Sequence, residues 1–217
     1  MSQMDTVFNE FELDALKEFI NIGFGRAAGE LSEIMNLHVM LNVPDVAILR
    51  AGEVGSFIGG DIKDHKDYSI VEQFFIGNFK GVSFLVLPFN EGKRLMNIFS
   101  EYDDSMIESY GLDVLQQETL IEIGNIIIGA CVGSFAELLK GSVSYLPPKL
   151  FKSDLASFVP EKIISGDEGS ENQLLVSFKT IFRFEDHDVM GYLFMVSHSD
   201  ALEWIRKSIR NFLDDYS

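Results

Sequence analysis

Residues 11–46 read FELDALKEFINIGFGRAAGELSEIMNLHVMLNVPDV, and residues 115–150 read LQQETLIEIGNIIIGACVGSFAELLKGSVSYLPPKL. Laid over one another without a gap, at an offset of 104, they share nine identities in 36 positions: Leu16/Leu120, Glu18/Glu122, Asn21/Asn125, Ile22/Ile126, Gly25/Gly129, Gly29/Gly133, Glu33/Glu137, Val39/Val143 and Pro44/Pro148. Self-similarity of this kind decides the fold, because a chain that repeats one unit is expected to fold as copies of it. Farther on, GVSFLV from Gly81 resembles GYLFMV from Gly191 at an offset of 110, so about six residues are added in the second copy. The polar run GDEGSENQ at 166–173 is the expected place for them. The sequence reads as a single domain over 1–217 made of two repeats, about 8–108 and 112–217, joined near Glu101 to Gly111.

Each repeat opens with a long helix. Leu13, Leu16, Ile20, Phe24, Ala27, Leu31 and Ile34 recur at spacings of three and four, which marks one buried helical face. Leu115, Thr119, Ile123, Ile126 or Ile127, Ala130 and Leu138 do the same in the second copy. Runs rich in branched and aromatic residues follow and predict strands: 39–43, 46–50, 68–76 and 82–87, then 143–146, 174–184 and 190–196. NFKG at 78–81 and EDHD at 185–188 read as hairpin turns, and helices over 91–99 and 200–212 close the two halves. The expected class is α+β: a duplicated helix–strands–helix unit with pseudo-twofold symmetry, its mostly antiparallel sheet packed under two long helices.

Composition narrows the functions available. The 217 residues hold 34 acidic and 17 basic side chains, a formal charge of −17, with no basic run to meet phosphates, so nucleic acid is excluded as a partner. The same charge opposes an anionic membrane surface. With 47% apolar residues and 19 Phe there is ample core material, which rules out disorder for most of the chain. One cysteine, Cys131, cannot form an internal disulfide, and the acidic MSQMDTVFNEFELD start lacks a secretory pattern, so the reducing cytoplasm is the expected location. The most apolar stretches, 82–89 and 126–135, fall short of the roughly 20 residues that cross a bilayer, and no membrane insertion is expected.

The polar side of the two helices carries the signal. At about 100° per residue, Asp14, Glu18, Asn21, Gly25 and Ser32 fall within roughly 60° of one another, away from the apolar face. Glu118, Glu122, Asn125, Gly129 and Ala136 do so in the second helix. A mid-helix Gly costs about 1 kcal/mol relative to Ala, and both copies accept it one turn beyond a Glu/Asn pair. Such a glycine leaves the helix surface bare, so that a partner's backbone can approach the two side chains. Taken singly, a Glu and an Asn three residues apart are an ordinary solvated surface, and the glycines could instead seat a neighbouring helix. An exposed pair kept in both copies, where most positions have diverged, points to a shared task.

The full pattern is D-x3-E-x2-N-x22-P from Asp14 to Pro44 and E-x3-E-x2-N-x22-P from Glu118 to Pro148. It resembles the signature of the CheC/CheX/FliY family of chemotaxis phosphatases, usually given as D/S-x3-E-x2-N-x22-P, and among these it is most similar to the CheC type. Glu118 departs from that pattern, keeping the charge of the family's Asp while adding a methylene. The resemblance covers nearly the whole chain, since CheC-like proteins are duplicated α/β units of about this length with two such helices. It implies a phosphatase that hydrolyses the aspartyl phosphate of a CheY-type response regulator and so terminates a chemotaxis signal.

The chemistry implied by that resemblance is in-line attack of water on an acyl phosphate. The regulator brings its own Mg²⁺ and lysine, so the phosphatase needs no cofactor and supplies a positioned water and a closed site. Asn21 and Asn125 are implied to hold the water through an amide that both donates and accepts. Glu18 and Glu122 are implied to pair with the regulator's lysine, with Asp14, Glu118, Gly25, Gly129, Pro44 and Pro148 in support. The chain is expected to be a monomer with two sites. Two alternatives stay open: a non-catalytic module that binds a response regulator, as the FliM middle domain shares the fold without the Glu/Asn pairs, and an adaptor for a CheD-like receptor deamidase.

Other motifs carry less. Gly23, Gly25 and Gly29 lie inside a helix instead of between a strand and a helix, which argues against a dinucleotide site. EGKR at 91–94 lacks the flanking residues of a P-loop. Glu185, Asp186, His187 and Asp188 read as a surface turn because adjacent residues there point in different directions. Cys131, within an apolar run, reads as a buried thiol.

Overall fold

The computed structural model describes residues 8–42, 45–59, 68–99, 112–153, 174–187, 189–198 and 200–215. Pro44, the 101–111 junction, the 166–173 loop and Asp188 lie outside the described residues. Helix α1 spans Glu10–Met35 and is followed by strands β1 (Val39–Leu41) and β2 (Asp45–Arg50). A 3-10 turn at Ala51–Glu53 leads into the short helix α2 (Val54–Gly59). The hairpin β3 (Tyr68–Gly77) and β4 (Gly81–Pro88) and helix α3 (Phe89–Phe99) complete the first half. The second half runs α4 (Leu112–Leu138), β5 (Val143–Tyr145), β6 (Lys149–Ser153), β7 (Leu174–Phe184), a 3-10 turn at Glu185–His187, β8 (Val189–His198) and α5 (Asp200–Asp215).

The eight strands among the described residues form one antiparallel sheet in the order β1-β7-β8-β4-β3-β5, with β2 also on β7 and β6 also on β3. Each half therefore lends its first two strands to the other half's third. Asp45 of β2 faces Lys179, while Lys149 of β6 faces Glu72. At the centre, where β4 meets β8, Phe84 faces Phe194. Gly81 faces Phe75 and Gly191 faces Phe182; a Cβ on either glycine would lie within 2.6 Å of the opposing ring, so each bare backbone seats a phenyl group. Phe75 to Phe182 is a step of 107 and Gly81 to Gly191 a step of 110, which places three of the six added residues in the β7–β8 turn and not in the 166–173 loop where the sequence suggested them.

The two sheet faces bury different material. Val71, Phe75, Leu85, Phe178, Phe182 and Leu193 point toward α1, α3, α4 and α5, and Ile70, Phe84, Val86 and Phe194 point toward Ala51, Val54 and Ile58. Because both faces are covered, β4 is buried nearly end to end and β3 is buried from Tyr68 through Gln73, as strands between two layers must be. The α2 segment and β6 were not read from the sequence: each is too short for its periodicity to declare itself.

Helix α1 starts at Asn9, whose side chain accepts from the Glu12 amide while Glu12 accepts from the Asn9 N–H, both at 2.9 Å. This capping box satisfies two of the otherwise orphaned N–H groups. Leu16, Ile20, Phe24, Ala27 and Leu31 are buried as the spacing predicts, each long apolar side chain contributing about 1.5–3 kcal/mol. Ile34 is not: it is 64% exposed and Met35 takes the last buried position, because the helix ends one residue later with Asn36 in the left-handed region at φ 49°. Lys140, 104 residues on, repeats that conformation after α4 at φ 57°.

Helix α4 is more apolar along its length than the stretch 126–135 alone suggests. Within the 25 residues Val114–Leu138 an 18-residue window has a mean hydropathy of 1.6, so the helix is long and apolar enough by composition to cross a bilayer. Its apolarity has a packing cause: Leu120, Ile123, Ile127, Ile128, Val132 and Phe135 are all buried, spread over roughly half its circumference between the sheet and α1.

Candidate active site

Glu18 and Asn21 lie on the exposed side of α1, and Glu118 and Glu122 on that of α4. Asp14 is also exposed and pairs at 3.9 Å with Lys17 on its own helix. Asn125 and Gly129 are half-buried, where their counterparts Asn21 and Gly25 are exposed. A Cβ built on Gly25 or Gly129 meets nothing within 4 Å, so neither glycine seats another part of the described chain. Two residues placed on this stripe from the sequence do not belong to it. Ser32 is half-buried and spends its hydroxyl locally, donating to the Ala28 carbonyl at 2.8 Å and accepting from the Val39 N–H at 3.1 Å. Ala136 is buried against the core.

The asparagines are held differently. The Asn21 side chain has no hydrogen-bond partner among the described residues. Asn125 Oδ1 accepts from Gln73 Nε2 at 2.7 Å, and the same Nε2 group donates to the Leu146 carbonyl at 3.2 Å. Gln73, on β3, is 1% exposed. Below Gly129, the Tyr145 hydroxyl donates to the Gly129 carbonyl at 3.0 Å, an atom the helix ladder shares with it. Burial, reinforced by Cys131 and Glu137, pushes the Tyr145 phenol up to about 12, so it stays a donor throughout the physiological range. Neither Gln73 nor Tyr145 was singled out from the sequence. Each acts across the sheet–helix layer, from 52 and 16 residues away, and no local pattern records that.

Around the α4 pair the surface is concave. A cleft of about 570 Å³ carries Glu118 and Glu122 on its wall, with Ile34, Phe99 and Ile126 supplying apolar lining. Cys131 is buried, and burial first, then Glu30, pushes its thiol up, which leaves it unreactive. Among the described residues no group of His, Cys, Asp and Glu could hold a metal ion. At the turn after β7, His38 Nδ1 lies 2.9 Å from Glu185 Oε2, a cross-strand surface pair. Pro148 is half-buried between β5 and β6.

Residues 11–48 match the sequence profile of the CheC-like family. The CheY-P phosphatase CheC of Bacillus subtilis is 24% identical over 202 residues, 91% of this chain and 95% of that protein. Among solved structures, Thermotoga maritima FliY superposes with a TM-score of 0.66 at 17% identity, over 94% of this chain and 98% of that one. The FliM middle domain from H. pylori superposes with a TM-score of 0.54 at 10% identity, over 93% of this chain and 99% of that one. The chain is thus similar to the CheC-like family over α1 and the two strands after it, to a CheC protein along most of its length, and to FliY in fold.

Proposed function

We propose that this protein is a phosphatase that accelerates hydrolysis of the aspartyl phosphate of a CheY-type response regulator, with one site on α1 and one on α4. The observation that carries the reading is the pair of Glu/Asn couples, exposed Glu18/Asn21 and exposed Glu122 with half-buried Asn125, each followed by a glycine with open space in place of a side chain. An amide held against the phosphoryl group orients a water for in-line attack, while the glutamate fixes the depth of the helix by pairing with the regulator's lysine. Asp14 and Glu118 add negative potential that steers a basic partner, and Pro44 and Pro148 shape the strands behind the helices. The Mg²⁺ is the substrate's own. Kinship with the CheY-P phosphatase of Bacillus subtilis supports this reading.

In this reading the chain is one domain made by duplication and works as a cytoplasmic monomer. The exchanged strand pairings, the matched left-handed residues Asn36 and Lys140, and the facing of Phe84 and Phe194 support a pseudo-twofold relation of the halves. A second reading, a module that binds a response regulator or a CheD-like deamidase without catalysis, draws support from the FliM-like architecture. The test is decay of phospho-regulator with wild type and with Asn21→Ala/Asn125→Ala. Decay that the folded double variant speeds as well as wild type overturns the catalytic reading and leaves the binding one.

A further inference from the structure

We propose that Gln73 is a positioning residue for Asn125: it holds the carboxamide with Oδ1 inward and Nδ2 outward, so the α4 site is ready before substrate arrives. Asn21 on α1 has to be ordered by the substrate itself. Gln73 can act this way only if Glu122 and Asn125 work as a catalytic pair, so its role rests on the phosphatase reading.

A free carboxamide turns about its last bond between two orientations of opposite hydrogen-bond polarity, and an exposed Asn samples several rotamers besides. Fixing one of these states is an entropic loss that must be met either in the fold or in the transition state. The 2.7 Å bond from Gln73 Nε2 meets it in the fold. Gln73 is turned at a local cost: with Nε2 serving Asn125 and the Leu146 carbonyl, its Oε1 is buried with no hydrogen-bond partner among the described residues. An apolar residue at this strand position would avoid that cost, and a local rule broken without a structural return is the mark of a functional constraint.

The other half supplies the control. Gln73 follows Glu72, which faces Lys149, the first residue of β6; Thr180 follows Lys179, which faces Asp45, the first residue of β2. The Thr180 hydroxyl donates to the Asn42 carbonyl at 2.7 Å, as Gln73 does to that of Leu146, 104 residues on. Thr180 is two heavy atoms shorter and makes no bond to Asn21. Threonine at 73 can thus keep the anchor to the strand and lose only the reach to the helix.

The experiment is phospho-regulator decay by Gln73→Thr in an Asn21→Ala background, where only the α4 site works. A fall of about fivefold in kcat is expected, with KM and Tm nearly unchanged. The same substitution in an Asn125→Ala background should change nothing, and Thr180→Gln there should raise the residual α1 activity. An unchanged kcat, or an equal loss in both backgrounds, overturns the proposal; were Gln73→Thr to unfold, Thr180→Gln decides alone. Independently of activity, the Gln73 side-chain NH₂ resonances should shift and exchange faster in Asn125→Ala, and indifference to that change overturns the contact. A wild type that accelerates nothing overturns the phosphatase reading, and is told apart because the resonance test still reports the bond.

Discussion

Helices α1 and α4 carry the same Glu, Asn and Gly at the same spacing and differ in what stands behind them. On α1 the groups face solvent, with Asn21 unrestrained among the described residues and Gly25 exposed. On α4 the amide is tied to Gln73, and the glycine carbonyl to Tyr145. At its N-terminus the order reverses. Glu12, 2% exposed, accepts from Arg206 Nε at 3.1 Å and Arg210 Nε at 2.6 Å on α5, whereas Gln116 stands at the matching place on α4. The first helix is anchored at its start and loose at its site, and the second is braced at its site. Spacing within a helix says where groups sit, and the neighbouring strands say how firmly.

The comparison can be broken at several points. The largest effect belongs to Asn21→Ala/Asn125→Ala, which should remove an acceleration on the order of 10²-fold, read as phospho-regulator decay returning to its intrinsic rate.

Next is Glu12→Gln, which should destabilise the fold by about 2 kcal/mol at neutral pH, roughly 30-fold in the unfolding equilibrium, measured by denaturant titration. Burial alone would raise this carboxyl, but the Asn9 N–H and the Arg210 and Arg206 guanidiniums outweigh it and hold it below its ordinary value of 4.5. A depressed carboxylate stabilises above its unfolded value and loses that contribution as pH falls through the folded one. The gap between wild type and Glu12→Gln should therefore be full at neutral pH and close in acid well below 4.5. Gln116→Glu on α4 should show no such gap.

Gly25→Leu and Gly129→Leu should each weaken regulator binding at their own site about tenfold in Kd, because a side chain then fills the space a partner's backbone would enter. Stability should hold or rise slightly, since Leu is the better helix former by about 0.8 kcal/mol and nothing crowds either Cβ position. A loss of stability equal to the loss of binding would mean that the glycines serve the fold.

The smallest effect is the contrast between the single amide variants. Asn125→Ala should remove about fivefold more activity than Asn21→Ala, as measured by kcat at saturating regulator. Equal losses would show that bracing by Gln73 brings no kinetic advantage.

Much of this arrangement was legible before any coordinates. The buried face of α1 followed from Leu16, Ile20, Phe24, Ala27 and Leu31, because a long helix repeats its signal over many turns. Strand β7 appears at 174–184 as read, its branched and aromatic run bounded by polar residues. Ile34 was misplaced because its spacing is helical to the end, while the left-handed Asn36 that ends the helix leaves it in solvent. Ala136 was misplaced for the opposite reason: on a helix buried over roughly half its circumference, apolarity outside the main stripe is still burial.

The sequence by itself determined which residues can share a helical face, since a 3.6-residue period is local. The Glu/Asn/Gly stripes and the internal similarity are of that kind. Only the tertiary structure decided that β1 and β2 pair with β7 while β5 and β6 pair with β3, that Ala51–Gly59 covers the second sheet face, that Arg206 and Arg210 reach Glu12, and that Gln73 reaches Asn125 where Thr180 does not reach Asn21. These join residues dozens to nearly two hundred positions apart, and such pairings are set by how layers pack together.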